Sequence, residues 1–156
     1  MKWTFQLGLY ELAKRDKRVI LLMGDVGAGL FAKLKADMPK QYFNIGTCEQ
    51  ATVSIAAGLA MSGFRPIVYT ITPFLIERAF EQVKLDIHVQ KSPVGLVGYS
   101  DMEAGPTHCE LDAKVLMSLC PNIHSAFPKT KADVKQFMES VNVDEPWFLC
   151  LKPEFK

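Results

Sequence analysis

The chain has 156 residues, of which 49% are hydrophobic and 22% are charged, and these proportions are typical of a globular domain rather than a disordered or fibrous chain. The 18 basic and 17 acidic residues nearly cancel, so the charge predicts no nucleic acid and no anionic membrane as a partner. Four scattered cysteines without zinc-site spacing indicate a reduced, cytoplasmic protein. The longest uncharged run is residues 50–64, which is too short to span a bilayer.

Apolar runs and amphipathic stretches alternate along the whole chain. The runs predict six strands, beginning with Val-Ile-Leu-Leu-Met-Gly, a continuous apolar segment of the kind expected for a strand buried on both faces. The amphipathic stretches predict helices, several of which stop at a Gly or before a Pro. The predicted strands are 19–24, 42–46, 66–71, 94–99, 123–127 and 147–151, and the predicted helices are 3–14, 49–62, 73–89, 111–119 and 131–141.

This alternation predicts the α/β class, as a three-layer α/β/α domain with a mostly parallel sheet of about six strands. No repeat, linker or low-complexity tract divides the chain, so residues 1–156 are expected to form one domain. Ligands of open α/β sheets bind beyond the carboxyl ends of the strands. Polar residues follow four of the predicted strands and make that edge the predicted site; they are Asp25, residues 47–49, Thr70 with Thr72, and residues 100–108.

Glu49 stands where the second predicted strand passes into a helix that carries no further charge before Arg65. One interpretation is structural, because a carboxylate at a helix N-terminus gains about 0.3–1 kcal/mol from the helix dipole. The other interpretation is functional, since desolvating a carboxylate at the start of so apolar a helix costs free energy unless something there uses it.

The segment Gly24-Asp-Val-Gly-Ala-Gly29 invites comparison with a dinucleotide-binding loop. It lacks the third glycine of that fingerprint at the right offset, and no helix clearly begins at its second glycine. A glycine-rich turn after a strand is the favoured interpretation. A nucleotide-binding α/β protein of another family stays an alternative, and it would bind a nucleotide tightly.

A resemblance to a known family begins at residues 43–66, which read Phe-Asn-Ile-Gly-Thr-Cys-Glu-Gln-Ala-Thr-Val-Ser-Ile-Ala-Ala-Gly-Leu-Ala-Met-Ser-Gly-Phe-Arg-Pro. This string resembles the pyrimidine-binding domain of the transketolase and 1-deoxy-xylulose-5-phosphate synthase group of thiamine diphosphate enzymes. The similarity continues in order through residues 70–82, Gly105-Pro-Thr-His108, Leu111-Asp112 and Cys120-Pro-Asn122. It covers about residues 18–130, which is most of the chain.

The resemblance implies a catalytic and cofactor-binding role for Glu49. In that family the matching glutamate hydrogen-bonds N1′ of the thiamine aminopyrimidine, which favours the imino form of the ring that can take the proton from the thiazolium C2. A low-dielectric pocket strengthens such a bond and excludes water. The resemblance also implies that Phe74 packs on the aminopyrimidine ring and that Thr70 and Tyr69 line its pocket, with ordinary core packing as the alternative for Phe74.

His108 and Asp25 are implied at the substrate end of the site. An imidazole on the glycine-bearing loop could donate to a substrate oxygen or relay a proton, although a lone loop histidine can also be structural or solvated. Asp25 matches an acidic residue near the substrate in parts of the family, or it caps the following turn. Cys48 and Cys109 adjoin Glu49 and His108, and a Cys–His hydrolase is an alternative for which no orienting acid is evident.

The start of the glycine-rich segment also resembles the Gly-Asp-Gly…Asn site that holds magnesium and diphosphate in thiamine enzymes. Val26 replaces the second glycine of that site, and Asn44 comes too early for its asparagine. We therefore predict no metal site, no diphosphate-binding domain and no C-terminal domain in this chain. Mg²⁺ or Ca²⁺ is expected on a partner chain that completes the thiamine diphosphate site.

Taken with the resemblance, these features predict the small subunit of a split transketolase-like enzyme. It would transfer ketol units between sugar phosphates or related sugars, and it would need a separately encoded diphosphate-domain subunit in a heterotetramer. A non-catalytic assembly or regulatory domain of a thiamine diphosphate enzyme is one alternative. A deoxyxylulose-phosphate-synthase-like or decarboxylase subunit is another.

Overall fold

The computed structural model describes residues 1–100 and 104–153, and within them six parallel strands form one sheet. The strands are β1 (Val19–Met23), β2 (Tyr42–Asn44), β3 (Arg65–Ile71), β4 (Gly95–Tyr99), β5 (His124–Ala126) and β6 (Trp147–Leu151). They lie in the order β2-β1-β3-β4-β6-β5, and every neighbouring pair is parallel. The predicted α/β class and the predicted parallel sheet are confirmed. Residues 101–103 of the predicted polar segment and residues 154–156 lie outside the described residues.

Helices and short helical turns connect the strands. The α-helices are α1 (Lys2–Arg15), α2 (Ala32–Asp37), α3 (Glu49–Met61), α4 (Phe80–Gln82), α5 (Ala113–Ser118) and α6 (Lys131–Ser140), with π-helices at Phe74–Arg78 and Val83–Val89 and 3₁₀ turns at Pro39–Gln41 and Pro106–His108. In the described part of the chain, no helix is both long enough and apolar enough to cross a membrane.

The sheet is buried on both faces, as its continuous apolar strands require. Side chains alternate along a strand, so neighbouring residues of β3 point to opposite sides of the sheet. Val68 belongs to the core beneath α3 and the two π-helices, whereas Ile67 belongs to the core beneath α1, α2 and α6. The α3 face is the one that carries the candidate site.

The helix predicted over residues 73–89 is irregular, because α4 is a single turn between the two π-helices. Five of its side chains are fully buried, and apart from Ile76 they recur every fourth residue, a spacing that exceeds the 3.6-residue period of an α-helix. Wider turns with i→i+5 hydrogen bonds keep such a stripe on one face, and this explains the departure. The side chains of the stripe are Leu75, Ala79, Val83 and Ile87.

Two other helices also differ from the sequence prediction. The six-residue α2 was not predicted, and its N-cap residue Phe31 makes no side-chain capping bond, so the usual start signal is missing. The helix α5 is shorter than the predicted 111–119 because it starts after Asp112, whose carboxylate accepts hydrogen bonds from the backbone N–H groups of Lys114 and Val115.

Glycines at two strand ends let neighbouring strands approach closely at the edge that carries the site. A Cβ added to Gly24 would lie 2.9 Å from Thr70 Oγ1, and one added to Gly98 would lie 2.6 Å from Thr72 Oγ1 and 2.9 Å from Thr72 Cα. The carboxyl end of β3 therefore sits between two positions that have no room for a side chain. This fixes where the following segment, with Phe74, begins.

Candidate functional site

Glu49 is the first residue of α3, and its carboxylate is buried. The chain turns from β2 into the helix through Gly46, whose φ of +85° lies in the left-handed region that favours glycine. The Glu49 side chain is only 2% exposed, and its Oε2 accepts a hydrogen bond from Arg78 Nη1 at 2.9 Å. A buried carboxylate needs such a partner, because leaving its charge uncompensated would be strongly destabilising.

Arg78 links Glu49 to Phe74. The two residues are the ends of the π-helix Phe74–Arg78, and side chains four positions apart lie on the same side of a helix. The guanidinium carbon of Arg78 lies 4.0 Å from the centroid of the Phe74 ring, within the range of a cation–π contact. Sequence reasoning missed Arg78, and the four-residue spacing from Phe74 is the signal that points to it.

His108 completes this group of side chains. It ends the 3₁₀ turn Pro106–His108, which follows Gly105 with a φ of +102°. The imidazole meets the Phe74 ring edge-on, with ring centroids 4.9 Å apart and an interplanar angle of 67°. Its Nδ1 lies 3.0 Å from Thr107 Oγ1. Glu49, Phe74 and His108 thus come together at the predicted edge of the sheet, joined through Arg78.

A small cleft of about 280 Å³ opens beside the carboxylate. The Cys48 thiol donates to the backbone carbonyl of Ile45 at 3.3 Å, and the Cys109 thiol donates to the carbonyl of Gly105 at 3.5 Å. Both thiols therefore have backbone partners next to the group that Glu49 and His108 belong to. The residues that line the cleft are Thr47, Cys48, Glu49, Gln50, Ala51 and Arg78.

A larger hollow of about 740 Å³ lies at the opposite, amino-terminal end of the strands. It is mainly apolar, with Ile20, Phe43, Leu59 and Phe64 in its wall. Ligands of open α/β sheets bind at the carboxyl ends of the strands, and the buried carboxylate is also there. The smaller cleft is therefore the better candidate.

Thr70 and Tyr69 point to opposite faces of the sheet. Thr70 is fully buried on the α3 face, and its Oγ1 has no hydrogen-bond partner in the described structure. The Tyr69 ring is 5.8 Å from the Phe5 ring and 4.9 Å from the Phe31 ring, in the core beneath α1. The unsatisfied hydroxyl is consistent with the predicted role of Thr70, whereas the geometry gives no support to a cofactor contact by Tyr69.

Asp25 lies just beyond β1 in a left-handed conformation, with a φ of 56°. Its Oδ1 accepts a hydrogen bond from Asn44 Nδ2 at 2.8 Å, and Asn44 Oδ1 accepts one from the N–H of Gly46. These bonds tie the end of β1 to the loop that leads into Glu49. Asp25 is exposed, so the same carboxylate could also contact a ligand.

A second polar group lies at the ends of β4 and β6, where Thr72 and Ser100 of the predicted polar edge meet Glu110 and Lys152, which the sequence did not indicate. Ser100 Oγ donates to Glu110 Oε1 at 2.8 Å and lies 3.3 Å from Thr72 Oγ1, while Lys152 Nζ is 3.3 Å from Glu110 Oε1. Glu110 Oε2 is buried without a hydrogen-bond partner in the described structure. Burial raises the pKa of the neighbouring Cys150 thiol, so this cysteine stays protonated at neutral pH.

The Glu49 group has the features needed to hold a planar nitrogen heterocycle. A buried carboxylate can hydrogen-bond a protonated ring nitrogen, and the half-buried Phe74 ring offers a face on which a second ring can stack. The Arg78 guanidinium both hydrogen-bonds the Glu49 carboxylate and lies over the Phe74 ring. The space between the carboxylate and the ring therefore accommodates a flat cation. No group of three or more metal-binding side chains occurs among residues 1–100 and 104–153.

Comparisons with known proteins point to one family. A family model described as the transketolase pyrimidine-binding domain matches residues 1–153. The 1-deoxy-D-xylulose-5-phosphate synthase of Synechococcus elongatus is 37% identical over 144 residues, which is 86% of this chain and 22% of that protein. The synthase of Oleidesulfovibrio alaskensis is 35% identical over 153 residues, which is 91% of this chain and 23% of that protein. The chain thus spans less than a quarter of the length of these relatives.

Solved structures share the fold. A split-gene transketolase in the form of an inactive β4 tetramer superposes with a TM-score of 0.83 and 24% identity, over 98% of this chain and 53% of that chain. A transketolase mutant from Pichia stipitis superposes with a TM-score of 0.78 and 20% identity, over 98% of this chain and 25% of that chain. The agreement extends across almost all of the chain and matches its six-stranded parallel sheet.

Proposed function

Because the chain belongs to the family of transketolase pyrimidine-binding domains, we propose that it supplies Glu49 to a thiamine diphosphate site. The aminopyrimidine end of the cofactor would bind at the carboxyl edge of this sheet. A separate diphosphate-binding domain would hold the other end together with Mg²⁺ or Ca²⁺. In this proposal residues 1–156 form one pyrimidine-binding domain and act as a subunit of a transketolase-like enzyme.

The burial of the Glu49 carboxylate carries this proposal. With 2% of its side chain exposed, it sits at the head of a helix whose other residues are all uncharged. The helix dipole contributes about 0.3–1 kcal/mol at an exposed helix N-terminus and up to about 2 kcal/mol at a partly buried one, and a surface carboxylate would gain from the dipole without being desolvated. Within the described part of the chain, the only charged partner of this carboxylate is the half-exposed Arg78, which also contacts the Phe74 ring, and we attribute the burial of Glu49 to a ligand that takes its hydrogen bond.

Thiamine diphosphate supplies, when bound, a carbon nucleophile that attacks the carbonyl group of a keto substrate. Glu49 would hold a proton against N1′ of the aminopyrimidine, and Phe74 would stack on the ring and exclude water from it. Thr70, whose hydroxyl is unsatisfied, would face the same ring. His108 would donate to a substrate oxygen or relay its proton, and Asp25 would contact the substrate from the end of β1.

The proposed assembly has two copies of this chain and two copies of a separately encoded diphosphate-domain subunit. A split-gene transketolase shares this fold, and its β4 tetramer is described as inactive. That protein is a precedent for an enzyme of this fold whose β subunits do not act by themselves. Sugars or sugar phosphates would be the donor and acceptor substrates of the completed enzyme.

A second candidate reaction is a synthase-type condensation. The curated relatives described above are 1-deoxy-D-xylulose-5-phosphate synthases, with 35–37% identity to this chain, whereas the transketolases of known structure are 20–24% identical. The two reactions differ in the donor, which is a ketose for ketol transfer and a 2-keto acid for the condensation. Supplying each donor in turn with one aldehyde acceptor would separate them.

Reconstitution tests the proposed function. The purified chain, a diphosphate-domain subunit, thiamine diphosphate and Mg²⁺ should together produce activity that neither protein shows alone. Glu49→Gln should lower kcat by about 10²–10⁴-fold, the range for a positioned acid–base group. The exposed Glu81 provides a matched control, and Glu81→Gln should leave kcat unchanged.

Three outcomes would contradict parts of this proposal. Activity that survives Glu49→Gln would remove the assigned role of Glu49, and turnover by the isolated chain would remove the split site. Calorimetry of the reconstituted complex addresses the non-catalytic alternative, which predicts that cofactor affinity does not depend on Glu49. Under the proposed function, Glu49→Gln weakens the binding of thiamine diphosphate as well as turnover.

A further inference from the structure

Arg78 makes both of the contacts that the proposed function assigns to the aminopyrimidine. Its Nη1 donates to Glu49 Oε2 at 2.9 Å, and its guanidinium carbon lies 4.0 Å from the centre of the Phe74 ring. One flat cation therefore bridges the carboxylate and the aromatic face. A guanidinium, like a protonated aminopyrimidine, is planar, delocalised and rich in N–H donors, so the two groups compete for the same place.

The two partners of this ion pair differ in their freedom to move. Glu49 is 2% exposed and is fixed at the first turn of α3, whereas the Arg78 side chain is 49% exposed and reaches the carboxylate from the surface. Moving the Arg78 guanidinium from the carboxylate into water would cost little free energy, because much of its side chain is already solvated. The carboxylate has no such route, and it needs a cationic or hydrogen-bonding partner at all times.

From this arrangement we infer that Arg78 is a positioning residue that occupies the aminopyrimidine place in the free chain and leaves it when the ring binds. This inference rests on the proposed function. Until the ring arrives, the guanidinium orients the Glu49 carboxylate, compensates its charge and covers the Phe74 face. Binding of the cofactor is then an exchange of one flat cation for another rather than the filling of an empty pocket.

The exchange has two measurable consequences, and their combination distinguishes it from a permanent structural ion pair. Removing the arginine should destabilise the free chain, because it leaves a buried carboxylate without a partner. The same removal should strengthen the binding of an aminopyrimidine, because no competing cation has to be displaced. A permanent structural pair would instead lose stability and affinity together, since the binding surface would be damaged.

The test uses the full chain and a soluble 4-aminopyrimidine that lacks the thiazolium, titrated by NMR. Arg78→Gln should bind it about tenfold more tightly than the unmodified chain, as expected for losing one competing charge-assisted hydrogen bond. Arg78→Lys keeps the charge but not the planar fork, so its affinity should fall between the two. Arg18→Gln is the matched control, because Arg18 is 46% exposed and pairs with Asp16 and Asp144 far from the site.

Thermal unfolding of the same variants supplies the second measurement. Arg78→Gln should unfold a few degrees lower than the unmodified chain, and this loss should vanish in a Glu49→Gln background, as a double-mutant cycle of a true pair requires. Equal or weaker ligand binding by Arg78→Gln, or no binding by any variant, would overturn the exchange. Undiminished binding by Glu49→Gln would instead contradict the proposed function, while the cycle would still report on the ion pair.

Discussion

The position of Glu49 results from three constraints that act on one residue. Gly46 lets the chain turn sharply after β2, the amino end of α3 favours a negative charge, and Arg78 supplies the opposite charge. The first two constraints are local in sequence, whereas the third crosses 29 positions. A change at any of the three would alter the position of the carboxylate or remove its charged partner.

At the residue scale, Gly98→Ala should destabilise the domain by about 1–3 kcal/mol, the usual cost of overpacking. The added Cβ would lie 2.6 Å from Thr72 Oγ1 and 2.9 Å from Thr72 Cα, and a backbone atom cannot turn away as a side chain can. Urea unfolding measures the change. Gly29→Ala is the control, because a Cβ there meets nothing within 4 Å, and equal stability of the two variants would contradict the proposed close approach.

The sequence indicated much of the candidate site but not its internal contacts. Glu49, Phe74 and His108 stood out by charge pattern and resemblance, and they come together in the structure. Tyr69 and Thr70 were both predicted to line the ring pocket, but consecutive residues of a strand point to opposite faces of the sheet. In a strand buried on both faces the sequence carries no alternation that shows which of the two meets the α3 side. Arg78 was missed because its ion pair with Glu49 joins residues 29 positions apart in the chain, although its four-residue spacing from Phe74 pointed to a contact with that ring.

Helices and strands that have a clear sequence pattern, such as an apolar run or a capping residue, were predictable, and those without such a pattern were not. The six strands fall within their predicted ranges to within one or two residues, because short apolar runs bounded by polar turns leave few alternatives. The two π-helices were hidden by a four-residue apolar repeat that also reads as an ordinary amphipathic helix. The short α2 was missed because no side-chain cap marks its start.

The start of α6 gives a prediction at the element scale. Thr130 and Asp133 form a reciprocal capping box, in which Thr130 Oγ1 accepts from the N–H of Asp133 and the Asp133 carboxylate accepts from the N–H groups of Lys129 and Thr130. Thr130→Ala should cost about 1 kcal/mol in urea unfolding. Glu139, an exposed acid of the same helix, provides the control, and Glu139→Gln should change stability very little.

The same cap should also produce a pH dependence. Hydrogen bonds from the backbone of Lys129 and Thr130 hold the pKa of Asp133 below its ordinary value. The carboxylate therefore stabilises the fold above its unfolded pKa of about 3.9, and this stabilisation is lost as the pH falls through the lowered folded pKa. Asp133→Asn should be less stable than the unmodified chain at pH 7 but not at pH 2. A difference that persists at low pH would contradict the assignment.

At the scale of the whole molecule, the alternation of elements was enough to predict three layers, because a parallel sheet must be covered on both faces. The alternation of elements does not predict which apolar side chains the outer helices leave exposed. The outward side of α3 exposes Ile55 and Met61, and the adjoining π-helix Val83–Val89 exposes Leu85 and Val89. A hydrogen bond from Ser54 to Asp86 ties the two helices together beside them.

This exposed apolar surface on the α3 side leads to a prediction about assembly. If the proposed heterotetramer uses it to join two copies of the chain, Ile55→Glu should weaken self-association at least tenfold, because a buried, unpaired charge is costly at an interface. Analytical ultracentrifugation measures the association, and circular dichroism checks that the fold is retained. Leu7→Glu is the control, since Leu7 is 63% exposed on α1 at the opposite face of the sheet. Equal effects of the two variants would show that the α3 surface does not join the subunits, and the pairing would then have to lie elsewhere.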